Sequence, residues 1–258
     1  MKPLVLGAVT YDPKVVTIWE GFKAFFNERG LPFDFVLFST YEAQVEAQLQ
    51  GRIDVAWNSP LAWVHTRQRR LDARAVVMRD TDQDLTSVVL VRAEGPTAVE
   101  ALNGKKVGVG AADSPQATLI PLLHLHDAGV RPSVVRHDVL LGKHGDHIGG
   151  ERDAVRALLE GKVEAACVID GNHLAFTRDG TIPPGAVRVL AQTGKYDHCN
   201  FTALGGVDTA RFEALLLGMS FADPKLRPLM ELEGLTAWLP GRTSGYALLE
   251  RAVEQVKL

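Results

Sequence analysis

Between residues 144 and 199 the chain carries His144, Asp146, His147, Cys167, Asp170, His173, His198 and Cys199, all at expected loops or strand ends. Imidazole, thiolate and carboxylate groups ligate zinc, copper or iron, and the same groups carry acid–base or thiol chemistry. No pair shows the CxxC or HExxH spacing of a defined metal motif. The reading therefore assigns no metal, no cofactor and no catalytic residue; were a metal held, its candidates are His144, His147, His173, His198 and Cys199. Otherwise these groups hydrogen-bond a polar ligand, and Cys167 is a small buried residue. His124 and His126 fall inside a helical pattern and read as packing or surface residues.

A second kind of chemistry lies in two helix starts. Asn58-Ser59-Pro60 follows the apolar run Ile53 to Trp57, and Ser114-Pro115-Gln116 follows Lys106 to Val109. In each, a serine sits at the N-cap and a proline at the first helical position, so a strand runs directly into a helix. Free amide hydrogens and the positive end of the helix dipole then face whatever lies beyond the strand, which suits an anion or polar ligand. The loop Leu141 to Asp153, with four glycines, two histidines and a lysine, is shaped for close backbone approach.

The elements that must position these groups follow one another at the pace of an α/β protein. Leu4 to Val9 and Phe33 to Phe38 read as strands, and Val15 to Arg29 as a helix with Trp19, Phe22, Phe25 and Phe26 at core spacing. Ala73 to Met78, Ser87 to Val91, Val134 to Val139, Val187 to Ala191 and Phe201 to Leu204 read as further strands; Thr209 to Met219, Leu226 to Leu232 and Ser244 to Val256 as helices. Asp80 to Asp84 reads as an acidic surface loop. Leu49-Gln50-Gly51-Arg52-Ile53-Asp54-Val55-Ala56-Trp57 is echoed by Leu159-Glu160-Gly161-Lys162-Val163-Glu164-Ala165-Ala166-Cys167. One unit used twice implies two similar lobes, each a mostly parallel sheet flanked by helices.

The 258 residues suffice for two cores, and 46% hydrophobic content, 23% charged content and a net charge of −3 describe an ordinary globular chain. No basic surplus points to nucleic acid, and no apolar run of the length a bilayer demands points to membrane insertion. The start, Met1 to Gly7, enters a strand directly without the form of a signal peptide. The location is therefore extracytoplasmic if an upstream leader was removed, and otherwise cytoplasmic.

Together these stretches resemble the phosphate/phosphite/phosphonate substrate-binding proteins of ABC transporters, PhnD-like proteins of the type II periplasmic-binding-protein fold. The resemblance is carried by Leu49 to Trp57 with Ser59-Pro60, by Gly108 to Pro121, by Asp153 to Leu158 and by Leu232 to Arg242. It implies a first lobe of residues 1–92 plus 200–258, a second of 93–199, hinge strands near 88–94 and 193–201, and a ligand cleft between the lobes. It further implies capture of a small anionic, phosphate- or phosphonate-like ligand for an ABC permease. The implied ligand set is Tyr11, Tyr41, Trp57, Asn58 and Ser59 from the first lobe and Ser114, Gln116, His144, His147, Asp170 and His173 from the second. Tyr196 and His198 join it at the hinge. Where the family has Ser-Thr-Ser, this chain has Ser114-Pro115-Gln116, two hydroxyls and one amide hydrogen fewer. Another class of reading uses the same fold for a cytosolic metal-dependent enzyme or ligand sensor built on the His/Cys/Asp set. Binding is preferred to catalysis.

Overall fold

The computed structural model describes residues 2–10, 12–138 and 147–256, the side chain of His147 excepted. Tyr11, His144 and the His147 side chain, all expected at the ligand, lie outside the described residues. The chain forms two compact units, one of residues up to Asp84 with Asp197–Tyr246, the other of Leu85–Tyr196 with the stretch from Ala247 onward.

The first unit is built on strands β1 (Leu4–Val9), β2 (Phe33–Phe38), β3 (Val55–Asn58) and β4 (Arg74–Arg79), with β10 (Asn200–Ala203) and β11 (Trp238–Pro240). Their order is β11-β4-β10-β3-β1-β2. β1 pairs in parallel with β2 and β3, while β10 runs antiparallel between β3 and β4. β4 thus points the same way as β1, β2 and β3.

Helix α1 (Lys14–Glu28) buries Val15, Ile18, Trp19, Phe22, Phe25 and Phe26, the i, i+3, i+4, i+7 stripe of an amphipathic helix. That stripe joins an aromatic core in which Phe26 stacks 5.1 Å from Phe212 and Trp57 lies 4.7 Å from Phe201. The layer is completed by α2 (Tyr41–Leu49), α3 (Pro60–Arg69), and later α7 (Ala210–Leu217) and α8 (Arg227–Glu233).

The second unit contains β5 (Ser87–Arg92), β6 (Lys106–Val109), β7 (Ser133–Arg136), β8 (Ala165–Ile169) and β9 (Val187–Gln192), ordered β7-β6-β8-β5-β9. Again three parallel strands lead, and an antiparallel strand, here β5, separates the third from the last. A turn of π-helix at Pro115–Leu119 leads into α4 (Ile120–Asp127); α5 (His147–Leu159), α6 (Asp170–Arg178) and α9 (Ala247–Gln255) follow. Among the described residues no helix is long and apolar enough to cross a membrane.

The sequence echo marks the same corner of each sheet. Gly51 and Gly161 sit at φ 68° and 71°, left-handed values that favour glycine where a helix stops. The amide of Arg52 reaches back to the Ala47 carbonyl at 2.9 Å, and that of Lys162 to Ala157 at 2.9 Å, the 6→1 closure of a Schellman turn. Each stretch then enters a strand that pairs in parallel with a neighbour, β3 with β1 and β8 with β6, placing Ala56 opposite Gly7 and Ala166 opposite Gly108. A Cβ on Gly7 would lie 2.3 Å from Ile53 Cδ1, so no larger residue fits there without moving the neighbour.

The unit boundaries depart from the expected lobes. Residues 85–92, expected in the first lobe, lie in the second: β5 is flanked by β8 and β9 and its edge pairings are filled there. Helix α9, expected to return to the first lobe, packs on α4, with Arg251 paired to Asp127 at 2.9 Å. The expected helix Ser244 to Val256 therefore divides into a single turn, Ser244–Tyr246, in the first unit and α9 in the second. Asp84, the one non-glycine residue with positive φ among the described residues (57°), ends the first segment of the first unit. Its amide donates to the buried Asp197 carboxylate at 3.1 Å, which Arg242 also holds in a bidentate pair. Leu85 and Tyr196 exchange backbone hydrogen bonds at 2.8 and 2.9 Å.

Candidate functional site

In the first unit, β3 runs straight into α3. Ser59 holds an extended conformation (φ −64°, ψ 163°), its Oγ accepts from the Ala62 amide at 3.3 Å, and Pro60 starts the helix. Ser59 is half-buried, and α3 is long enough for its dipole to favour negative charge at this end. Thr40 caps α2 in the same way through the Ala43 amide, at 3.2 Å, leaving the half-buried Tyr41 as its first helical residue. Trp57, 8% exposed, packs against Phe201 and Trp238 and beneath the Arg79 guanidinium, 5.2 Å from its ring centre.

Asn58, expected at the ligand, sits inside the unit. It is fully buried, and both ends of its amide are engaged within the unit. Gln44 Nε2 donates to Asn58 Oδ1 (2.8 Å) and to the Trp57 carbonyl (3.0 Å); Asn58 Nδ2 donates to the Thr202 hydroxyl (2.9 Å). That hydroxyl donates to Asn200 Oδ1 (2.7 Å), Asn200 Nδ2 to the Tyr246 hydroxyl (2.8 Å), and Tyr246 to the His198 carbonyl (2.8 Å). This is a one-directional chain of buried polar groups, and such chains rigidify the elements they link. Asn58 holds the end of β3 against β10.

At the far end of that chain lies a cluster of which the sequence names His198 and Cys199 as candidates but not Asp82. Asp82, read as part of a surface loop, is 1% exposed. Arg79 donates to it through Nε (2.5 Å) and Nη2 (3.0 Å), and the Cys199 amide donates at 3.2 Å. His198 Nδ1 lies 3.4 Å from Asp82 Oδ1 and 3.2 Å from Cys199 Sγ. Burial would push the Asp82 carboxyl up, but Arg79 and His198 outweigh it and hold it at about 2. Burial likewise opposes charge on His198, and the Cys199 sulfur and Asp82 more than offset it, so its pKa is raised. Glu233 meets Arg79 at 3.4 Å and lines a small pocket with Val9, Val15, Ile18, Trp19 and Trp57. Burial pushes its carboxyl up to about 7 against the pull of Arg79. The signal for Asp82 was its position three residues after Arg79, a spacing that lets an ion pair close across one turn.

In the second unit Ser114 is fully buried, its Oγ accepting from the Ala117 amide at 3.1 Å. Gln116 is 7% exposed, and its Oε1 has no partner among the described residues. Tyr196, expected at the ligand, is 1% exposed. The Ser87 hydroxyl donates to the Gln116 carbonyl (2.6 Å), so the Tyr196 hydroxyl donates to Ser87 (2.7 Å) and supports the turn from below. Burial raises the Tyr196 pKa above the usual phenol range.

Asp170 opens α6 and accepts from the Thr86 hydroxyl at 2.7 Å; His173, half-buried, has its pKa lowered by burial against the opposing Asp170 charge. Glu151, fully buried, accepts from the Ile169 amide and from Asn172 Nδ2, both at 2.9 Å. The start of α6, which follows β8 as α3 follows β3, thus carries a resident carboxylate. Cys167 is fully buried in β8, and burial pushes its thiol up to about 12. Of the histidine and cysteine set, only His198 and Cys199 are brought together, with Asp82, among the described residues.

Two corresponding helix starts, one with no carboxylate hydrogen-bonded at Ser59 among the described residues and one holding Glu151, suit a protein that holds a small charged solute. Residues 8–246 match the profile of the family described as the periplasmic phosphonate substrate-binding protein of ABC transporters. The chain belongs to that family. This phosphonate-family binding protein therefore captures small anionic solutes for ABC-type uptake, outside the cytoplasm, with a permease as its partner.

Solved structures share its fold. PhnD1 from Prochlorococcus marinus (MIT 9301), in complex with methylphosphonate, is 15% identical with a TM-score of 0.68, covering 98% of each chain. XAC2383 from Xanthomonas citri, bound to ATP, is 16% identical with a TM-score of 0.73 and full coverage of both chains. The periplasmic aliphatic sulphonate binding protein SsuA from Escherichia coli is 18% identical with a TM-score of 0.57, covering 98% of this chain and 86% of its own.

Proposed function

We propose that the solute is an oxyanion of the phosphate or phosphonate class, captured and handed to the membrane permease. From the first unit Ser59, Tyr41 and Trp57 bind it, the start of α3 supplying the favourable dipole and Trp57 the packing surface. From the second unit the Gln116 amide, Asp170 and His173 contribute, with Ser114 shaping the turn. Tyr11, His144 and His147 belong to the same proposal, His198 stands beside it, and Asn58 and Tyr196 support the site from beneath.

The observation that carries this reading is the contrast between the two helix starts. Glu151 already sits at the start of α6, whereas Ser59 at α3 is half-buried with no carboxylate hydrogen-bonded to it among the described residues. The test is a thermal-shift screen with phosphate, phosphite, methylphosphonate, an alkyl sulfonate and acetate. A ligand at 100 times its dissociation constant adds about 2.7 kcal/mol of stability, and the phosphorus oxyanions are expected to give it. A shift with sulfonate or acetate alone would replace the solute class, and no shift with any anion would end the reading.

A further inference from the structure

The first unit gathers three ligand types at one point. Asp82, His198 and Cys199 each place a donor atom within 4.8 Å of the other two. We propose that these residues bind a first-row divalent cation of the zinc type through Asp82 Oδ1, His198 Nδ1 and Cys199 Sγ, leaving a fourth position open. Tetrahedral zinc has bonds of about 2.3 Å to sulfur and about 2.0–2.2 Å to nitrogen and oxygen, so its ligand atoms stand roughly 3.3–3.6 Å apart. His198 Nδ1 is 3.4 Å from Asp82 Oδ1, inside that range, and 3.2 Å from Cys199 Sγ, just below it, so small shifts would complete both edges.

The donors are held by bonds that owe nothing to a metal. Arg79 Nε fixes Asp82 Oδ2, Arg79 Nη2 (3.0 Å) and the Cys199 amide (3.2 Å) orient Oδ1, the His198 amide donates to the Asp82 carbonyl at 2.8 Å, and Tyr246 anchors the His198 carbonyl. Ligating groups are ordinarily oriented by such outer partners. One thiolate, one imidazole and one carboxylate form a mixed set that suits zinc, and three protein ligands are the number found where a fourth position stays open.

The Arg79 guanidinium raises the cost of bringing in a dication. Two anionic ligands offset it, and Arg79 has Glu233 as an alternative partner, through the carbonyl at 2.8 Å and the carboxylate at 3.4 Å. The side chain of Asp82 is 2% exposed and that of His198 24%, so the opening lies on the histidine side. Coordination needs both His198 Nδ1 and Cys199 Sγ free of protons, so any proton these two atoms carry passes to solvent as the nitrogen–metal and sulfur–metal bonds form. The cation site stands independently of the solute reading; an oxyanion as fourth ligand rests on that reading.

The test is a titration of metal-free protein with Co²⁺, without any solute. One equivalent is expected, with tetrahedral d–d absorption and a thiolate-to-cobalt charge-transfer band. Cys167→Ser should retain both, Cys199→Ser should lose the charge-transfer band, and His198→Ala should weaken binding by about tenfold or more. Saturating Co²⁺ without a charge-transfer band in the native or Cys167→Ser protein overturns the proposal, whether or not the Cys199 variant folds. So does a band that survives Cys199→Ser. Oxyanion thermal shifts measured on the same metal-free protein report separately on the solute reading.

Discussion

At the scale of single residues, burial divides side chains that look alike in the sequence. Ser59 and Trp57 were legible because cap, proline and strand end are local signals. Asn58, their neighbour, was not separable from them, since its partners Gln44 and Thr202 come from α2 and β10. Asn58→Ala leaves a buried amide and a buried hydroxyl each short of a partner, and is expected to cost about 2–4 kcal/mol in urea unfolding. Asp82 was hidden for a related reason: an acidic run between two strands looks like solvated loop until Arg79 and Cys199 are placed around it. Glu233 gives the pH test. Its folded pKa, about 7, exceeds the ordinary 4.5, so the native state binds the proton more tightly. Its stabilising contribution is full below about pH 4.5 and is lost as pH rises through 7. Unfolding free energy measured against pH should show a decline on the order of 3 kcal/mol from this group, absent in Glu233→Gln.

At the scale of elements, the echo of Leu49–Trp57 in Leu159–Cys167 translated directly into structure. Both stretches close a helix with the same 6→1 bond and enter the third strand of the parallel trio in sheets that share their first five places, the first sheet adding β11. It was readable because a glycine with positive φ, a basic residue and a short apolar strand are all local requirements. Gly51→Ala and Gly161→Ala are each expected to cost about 1–2 kcal/mol, since alanine pays for the left-handed conformation in both places. Similar losses of melting temperature in the two variants would bear this out; a loss in one alone would show that the turns are not equivalent. Sheet membership was less legible. The apolar run of β5 would suit either sheet, and its place between β8 and β9 is set by partners some 75 to 100 residues further along.

At the scale of the whole molecule, the family and the two-unit α/β fold were present in the sequence as resemblance, and the matched profile over residues 8–246 establishes the family. The segments that change units were not readable, because a helix such as α9 carries an amphipathic pattern that any complementary face would accept. The solute class depends on the residues at the strand ends rather than on the fold, since one fold hosts many ligands. The most direct test of the central claim is calorimetric titration of the purified chain with methylphosphonate, beside Ser59→Ala and Trp57→Ala. We expect one solute per chain and affinity weakened about tenfold or more in each variant, the loss of roughly one charge-assisted hydrogen bond or one packed ring. Undiminished affinity in both variants, or no binding by the native chain of any phosphorus oxyanion, would contradict the account.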